Sequence, residues 1–158
     1  MLSDPHLLTT EEVAHRLGVK PATVYLSARA AWVHQAFGRL AQVLAADGVE
    51  RSRRLTDAAA AVKELRRAAD NPGFRAFYAA AAASLRQLRG DHIGALRDLG
   101  RAEAWAGGLD LPLCNFEVAR VRARAHAALG STADAEYQAT IALRLAIEHG
   151  WQTRARWV

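Results

Sequence analysis

Apolar residues return at three- and four-residue intervals along almost the whole chain, and glycine, proline and Asx pairs break the runs. From Leu26 to Ala46 a stripe runs from Arg29 through Val33, Phe37, Leu40 and Leu44, with Ala36 and Val43 beside it and Trp32 widening it. Leu55, Ala59, Val62, Leu65 and Ala69 form a second stripe, and Phe74, Phe77, Tyr78, Ala81, Leu85 and Leu88 a third. Such spacing sets one apolar band on each helix, and each band needs a neighbour to cover it. The breaks fall at Gly18, Asp47-Gly48, Asp70-Asn71-Pro72-Gly73, Gly90-Asp91, Gly107-Gly108, Gly130-Ser131 and Gly150. The pattern predicts seven helices and no sheet, with consecutive helices paired as antiparallel hairpins across short connections.

A repeat is superposed on this pattern. Small residues fall at Ala83, Gly90, Ala95 and Ala102, and again forty residues later at Ala123, Gly130, Ala135 and Ala142. The glycines turn the chain, and alanines at these offsets let two helices approach closely and let the next pair stack on them. The spacing resembles the small-residue signature of tetratricopeptide (TPR) helix pairs over about residues 74–150. The period is longer than the family's usual value of about 34 residues, and this looser form is similar to the arrays of bacterial LuxR-type large regulators. The resemblance implies an all-α fold in which helical hairpins stack as a short TPR-like α-solenoid that binds protein. In such stacks the first helix of each unit lines a concave surface. That places Phe77, Ala80, Ser84 and Gln87 there together with Glu117, Arg120, Arg124 and Ala127. Arg120 and Arg124 share a helix face, and an arginine pair beside polar Ser84 and Gln87 suits a carboxylate or an acidic peptide. A solvated helix face is the competing reading.

The N-terminal segment has its own punctuation. Residues 7–25 read LLTTEEVAHRLGVKPATVY. Thr9 with Glu12 makes a capping box and Leu8 with Val13 a hydrophobic staple, so a helix begins at Thr10. Gly18 closes it, and Lys20-Pro21 opens a second, with proline where no amide donor is needed. Two short helices around a tight turn form a helix-turn-helix, and these nineteen residues resemble the start of the excisionase and MerR families of DNA-binding domains. By that resemblance Lys20, Ala22, Thr23 and Tyr25 meet DNA. Lysine would neutralise phosphate, Thr23 would contact a thymine methyl or a phosphate, and Tyr25 would donate to the backbone. No basic residue follows Tyr25 directly and no glycine-containing wing precedes the Val33 to Leu44 stripe. The other reading is that residues 10–46 cap a helical array. The organisation expected is therefore a helix-turn-helix-like segment at 1–26, a long hairpin at 27–73, and TPR-like repeats with a terminal helix at 74–158.

Charge bears on the choice between these readings. The chain of 158 residues carries a net +5, and its only lysines are Lys20 and Lys63, the rest of its basic side chains being arginine. Residues 1–26 hold Arg16 and Lys20 against Asp4, Glu11 and Glu12, so the positive excess lies outside the DNA-reader-like segment. Affinity for DNA rests largely on phosphate neutralisation, so this segment alone is expected to bind weakly.

Candidate chemistry is sparse. The six histidines are scattered singly, Cys114 stands alone, and no P-loop, dinucleotide-binding glycine pattern or nucleophile elbow occurs. The sequence predicts a non-enzymatic protein with no metal and no cofactor. It also predicts a cytoplasmic address, since no long apolar segment or secretory start is present. Trp151, Ala155 and Trp157 begin a further amphipathic run, which either packs back as a cap or pairs with a second copy as a homo-oligomer contact.

Overall fold

A computed structural model describes residues 9–17 and 20–158, and the side chains at 10, 17 and 21–28 lie outside that description. The described residues contain eight helices and no strand: α1 (Thr10–Leu17), α2 (Pro21–Leu44), α3 (Gly48–Ala68), α4 (Pro72–Leu88), α5 (His92–Ala106), α6 (Pro112–Ala128), α7 (Thr132–Glu148) and α8 (Gln152–Ala155). The all-α expectation holds, but the count of seven does not. The helix that follows Lys20 runs on without a break to Leu44, and the C-terminal run forms the short α8. No glycine or proline lies between Ala22 and Phe37 to stop α2. The division expected at residue 26 therefore falls inside a helix.

The predicted helix starts are visible as hydrogen bonds. Ahead of α1 the Thr9 amide donates to Glu12 Oε2 at 2.7 Å, and the Glu12 amide donates to Thr9 Oγ1 at 3.2 Å, a reciprocal capping box. Asn71 Oδ1 accepts from the Phe74 amide at the head of α4, and Asp91 Oδ1 from the Gly94 amide at the head of α5. The ends of α4 and α6 are alike. Gly90 at φ 87° and Gly130 at φ 81° take the left-handed conformation, and the residue after each donates five positions back, Asp91 to the Arg86 carbonyl and Ser131 to the His126 carbonyl. The repeat read from small residues is thus also a repeat of turn geometry.

Packing sorts the helices into two layers. α2, α4 and α6 touch in succession, while α3, α5 and α7 each pair with the helix before them. α3 also packs on α4 and α5 on α6, but α3, α5 and α7 make no contact with one another. A furrow floored by α4 therefore separates α3 from α5, and one floored by α6 separates α5 from α7. The main core joins Phe37, Leu40 and Val43 of α2 to Val62 and Leu65 of α3, then to Leu85, Leu99 and Val121. Trp32 and Leu44, expected on the apolar band of α2, stand at its edge and are exposed. A smaller core of Phe116, Ala119, Ala142 and Ala146 is covered by Trp151 and Ala155, so the terminal run packs back on its own chain. α1 rests on α2 alone, with Ala14 buried.

Candidate interaction surfaces

The residues expected to line an inner groove lie on α4 and α6, but most of them face inward. Phe77 joins the core, edge-on to Phe37 with ring centroids 6.5 Å apart, and Ser84 is buried. Gln87 and Arg124 are half-buried. Glu117 is 0% exposed and Arg120 2%. A buried charge persists only when paired, and Glu117 is paired twice. Arg120 donates to its Oε2 through Nε at 3.0 Å and Nη2 at 2.6 Å, and Arg154 of α8 donates to Oε1 at 2.8 Å. Arg124 Nη2 donates to the Trp157 carbonyl at 2.9 Å. Burial, aided by Arg120 and opposed by Glu117, pushes the Arg124 pKa down to about 10. As folded, Glu117 and Arg124 bind the chain's own C-terminal turn, and Arg120 binds Glu117. Trp151 stacks on His149 and meets Phe116 edge-on, and the Arg154 guanidinium lies 5.4 to 5.8 Å from the Phe116, Trp151 and Trp157 ring centroids.

The outer layer presents a different surface. Two adjoining hollows of about 440 Å³ each lie along the furrow between α3 and α5. Arg75, Tyr78, Ala82 and Arg86 of α4 and Arg89 at its C-cap form the floor, one three- and four-residue stripe. Lys63 and Arg66 come from α3, and Asp98, Arg101 and Trp105 from α5. Asp98 anchors this wall to the floor, accepting from Arg86 Nε at 2.7 Å and Arg101 Nη1 at 3.1 Å. Arg86 also holds Asp91 at 2.8 Å. The Gly94 amide first, and Arg86 next, keep the Asp91 carboxyl below its ordinary pKa. The Arg75 guanidinium lies 4.7 Å from the Trp105 ring centroid. Lys63, Arg66 and Arg89 have no ion-pair partner among the described residues. The sequence reading passed over this set because its members are the polar complements of three buried stripes. Its signal was the cationic stripe on α4 and the same-face spacings of Lys63 with Arg66, three apart, and Arg101 with Trp105, four apart.

Of the residues expected to meet DNA, Lys20 is exposed and extended immediately before Pro21. The side chains of Ala22, Thr23 and Tyr25 lie outside the described residues. α1 and α2 are separated by three residues, the spacing of a helix-turn-helix.

Cys114 is fully buried, and burial, with Glu117 and Glu103 adding to it, pushes its thiol up to about 12. A thiol so placed is a packing group rather than a nucleophile. Among the described residues no group of three His, Cys, Asp or Glu side chains is placed to hold a metal ion, and no helix is long and apolar enough to cross a membrane. Neither a protein-family model, nor a curated protein, nor a solved structure matches the chain.

Proposed function

We propose that this chain is a protein-interaction module of TPR-like helical hairpins. The observation that carries the reading is the two-layer packing. Successive hairpins leave open furrows between the helices of the outer layer, and the furrow over α4 is lined by charged and aromatic side chains most of which the fold does not bury. Helical repeats recognise partners through extended surfaces, and here it is the outer layer that offers one.

A second reading is favoured by one specific observation, the capped α1 followed after three residues by α2 with exposed Lys20 at its start. On that reading the chain is a DNA-binding transcriptional regulator, with Lys20, Ala22, Thr23 and Tyr25 on the duplex and the hairpins as its protein-binding half. The full chain, selected in parallel against a randomised peptide library and a randomised duplex library, separates the two. Enrichment of a peptide motif, with duplex binding diffuse and salt-sensitive, supports the interaction module. Enrichment of a short duplex motif that is lost in Lys20→Glu moves the assignment to the DNA reader.

A further inference from the structure

We infer that the furrow between α3 and α5 is the docking site for an extended acidic segment of a partner protein. The assignment rests on the interaction-module reading and names the site and the chemistry of its occupant. Three features set the site apart from an ordinary solvated face. The first is sign: Lys63, Arg66, Arg75, Arg86, Arg89 and Arg101 line it against only Asp91 and Asp98. The two carboxylates are already engaged by Arg86 and Arg101, which leaves Lys63, Arg66 and Arg89 to attract carboxylates from outside. The second is order. Asp98 fixes the Arg86 and Arg101 guanidinium groups, and the Trp105 ring holds the Arg75 group, so these cations are pre-positioned at lower entropic cost. The third is the floor, where Tyr78, Ala79, Ala82 and Leu85 offer an apolar strip between the rows of charge.

Geometry selects the occupant. Two helices that both pack on α4 at interaxial distances of about 8–10 Å leave a gap roughly one helix wide. A single polypeptide segment enters such a gap, and cations on both walls along an apolar floor suit an extended one. A duplex, whose major groove alone is about 12 Å across, does not. α4 has 17 residues, so its floor is about 25 Å long and spans roughly seven to eight residues of extended chain. Apolar side chains on one face of the strand would lie on Tyr78 and Ala82, and the carboxylates alternating with them would be reached by the long side chains of Lys63, Arg66 and Arg101 from the two walls.

The test uses the full chain and a fluorescein-labelled peptide of alternating Glu and Leu, with a Lys and Leu peptide of equal length as control, read by anisotropy at low and moderate salt. Saturable binding of the acidic peptide alone is expected. Arg66→Glu with Arg75→Glu should weaken it by at least about tenfold, as should Lys63→Glu with Arg89→Glu, while far-ultraviolet circular dichroism shows all variants folded. Arg39→Glu with Arg144→Glu, the same charge change away from the furrow, should leave the affinity within about twofold. Trp105→Phe should abolish the peptide-induced change in tryptophan emission. If the distant pair weakens binding as much as the furrow pairs, or the emission change survives Trp105→Phe, the furrow is not the site, although the module reading stands. If randomised duplex displaces the peptide and itself depends on Arg66 and Arg75, the acidic segment is the wrong occupant. If the acidic peptide does not bind at all while library selection still yields some other peptide, this docking proposal fails alone, and if no peptide is selected the module reading falls with it.

Discussion

α4 and α6 occupy matching places in successive hairpins and end in the same glycine turn, yet one floors an open basic furrow while the furrow over the other is crossed by an ion pair and its opposite face is covered by the C-terminal turn. The forty-residue offset pairs Lys63 with Glu103 and Ala82 with Arg122. Over α6, Arg122 reaches across to Glu103 and makes two parallel bonds of 2.7 Å, a bidentate bridge that ties α5 to the floor of its furrow. Over α4 the same two positions hold a lysine and an alanine, which cannot bridge. On the other face, Phe77 and Ala80 of α4 pack into the core, whereas their counterparts Glu117 and Arg120 form the buried pair clasped by Arg154. Two exchanged positions on each face thus separate a helix whose furrow is left unbridged from one whose furrow is barred and whose other face is clasped.

The buried pair is where that comparison breaks most severely. Glu117→Ala leaves Arg120 buried without a carboxylate, and we expect a loss of about 3–5 kcal/mol in urea unfolding. Replacing the pair together, Glu117→Leu with Arg120→Met, should recover most of that loss, because both desolvation costs vanish at once. A double variant as unstable as Glu117→Ala would mean that Arg154 and α8, not the pair, hold this end of the molecule.

Cys114 reports on the same helix. With its thiol raised to about 12, it is protonated in the folded chain at pH 8, whereas a free thiol has an ordinary value near 9. Reaction with a disulfide reagent should therefore be slower in the native chain than in urea by on the order of a hundredfold, set by local opening. The sign for stability follows. Below about pH 9 both states keep the proton and nothing changes. Above it the unfolded thiol ionises and the folded one does not, so stability falls as pH rises toward 12. Rapid native labelling would show that α6 opens far more readily than its packing implies.

Much of this was legible in the sequence, and the exceptions share a cause. The capping box at Thr9 and Glu12, the breaks at Gly90 and Gly130 and the core stripes of α2 to α4 depend on local spacing, which a single strand of sequence contains. The unbroken α2 was missed because the helix-turn-helix resemblance suggested a boundary at residue 26 that no glycine or proline enforces. The fate of Glu117, Arg120 and Arg124 was missed for a longer-range reason. Polar residues on a helix face look solvated until a partner from another segment is brought to them, and Arg154 lies 37 positions away from Glu117. The basic furrow needs three helices at once, so its stripes on α3, α4 and α5 are readable singly but not as one surface.

The two glycine turns test whether the hairpins are equivalent where they look alike. Gly90→Ala and Gly130→Ala both place a Cβ at positive φ with open space around it, so each should cost about 1 kcal/mol and the two values should agree. Gly94→Ala is the asymmetric member. A Cβ there collides with the Asp91 carboxylate, which must then release its cap on α5 and shift from Arg86. We expect a further loss of about 1 kcal/mol, with no counterpart at α7, where Ser131 makes no side-chain cap.

The smallest expected change in stability is also the sharpest use of the repeat. Glu103→Lys with Arg122→Ala copies the residues of the first furrow into the second. Glu103 is half-exposed, so the bridge it makes is screened by water, and its loss should cost no more than about 1 kcal/mol. The furrow over α6 would then lose its bidentate bar and gain one unpaired cation. Its other walls differ from those of the first, since Ile141 and Leu145 stand where Arg101 and Trp105 stand, and Asn115 where Arg75 does. The variant is therefore expected to bind the acidic peptide no more than a few-fold better than wild type, because one cation without pre-positioned neighbours is a weak site. A stability loss well beyond 1 kcal/mol would instead make the Arg122 bridge part of what holds α5 onto α6. The two furrows would then differ in architecture as well as in charge.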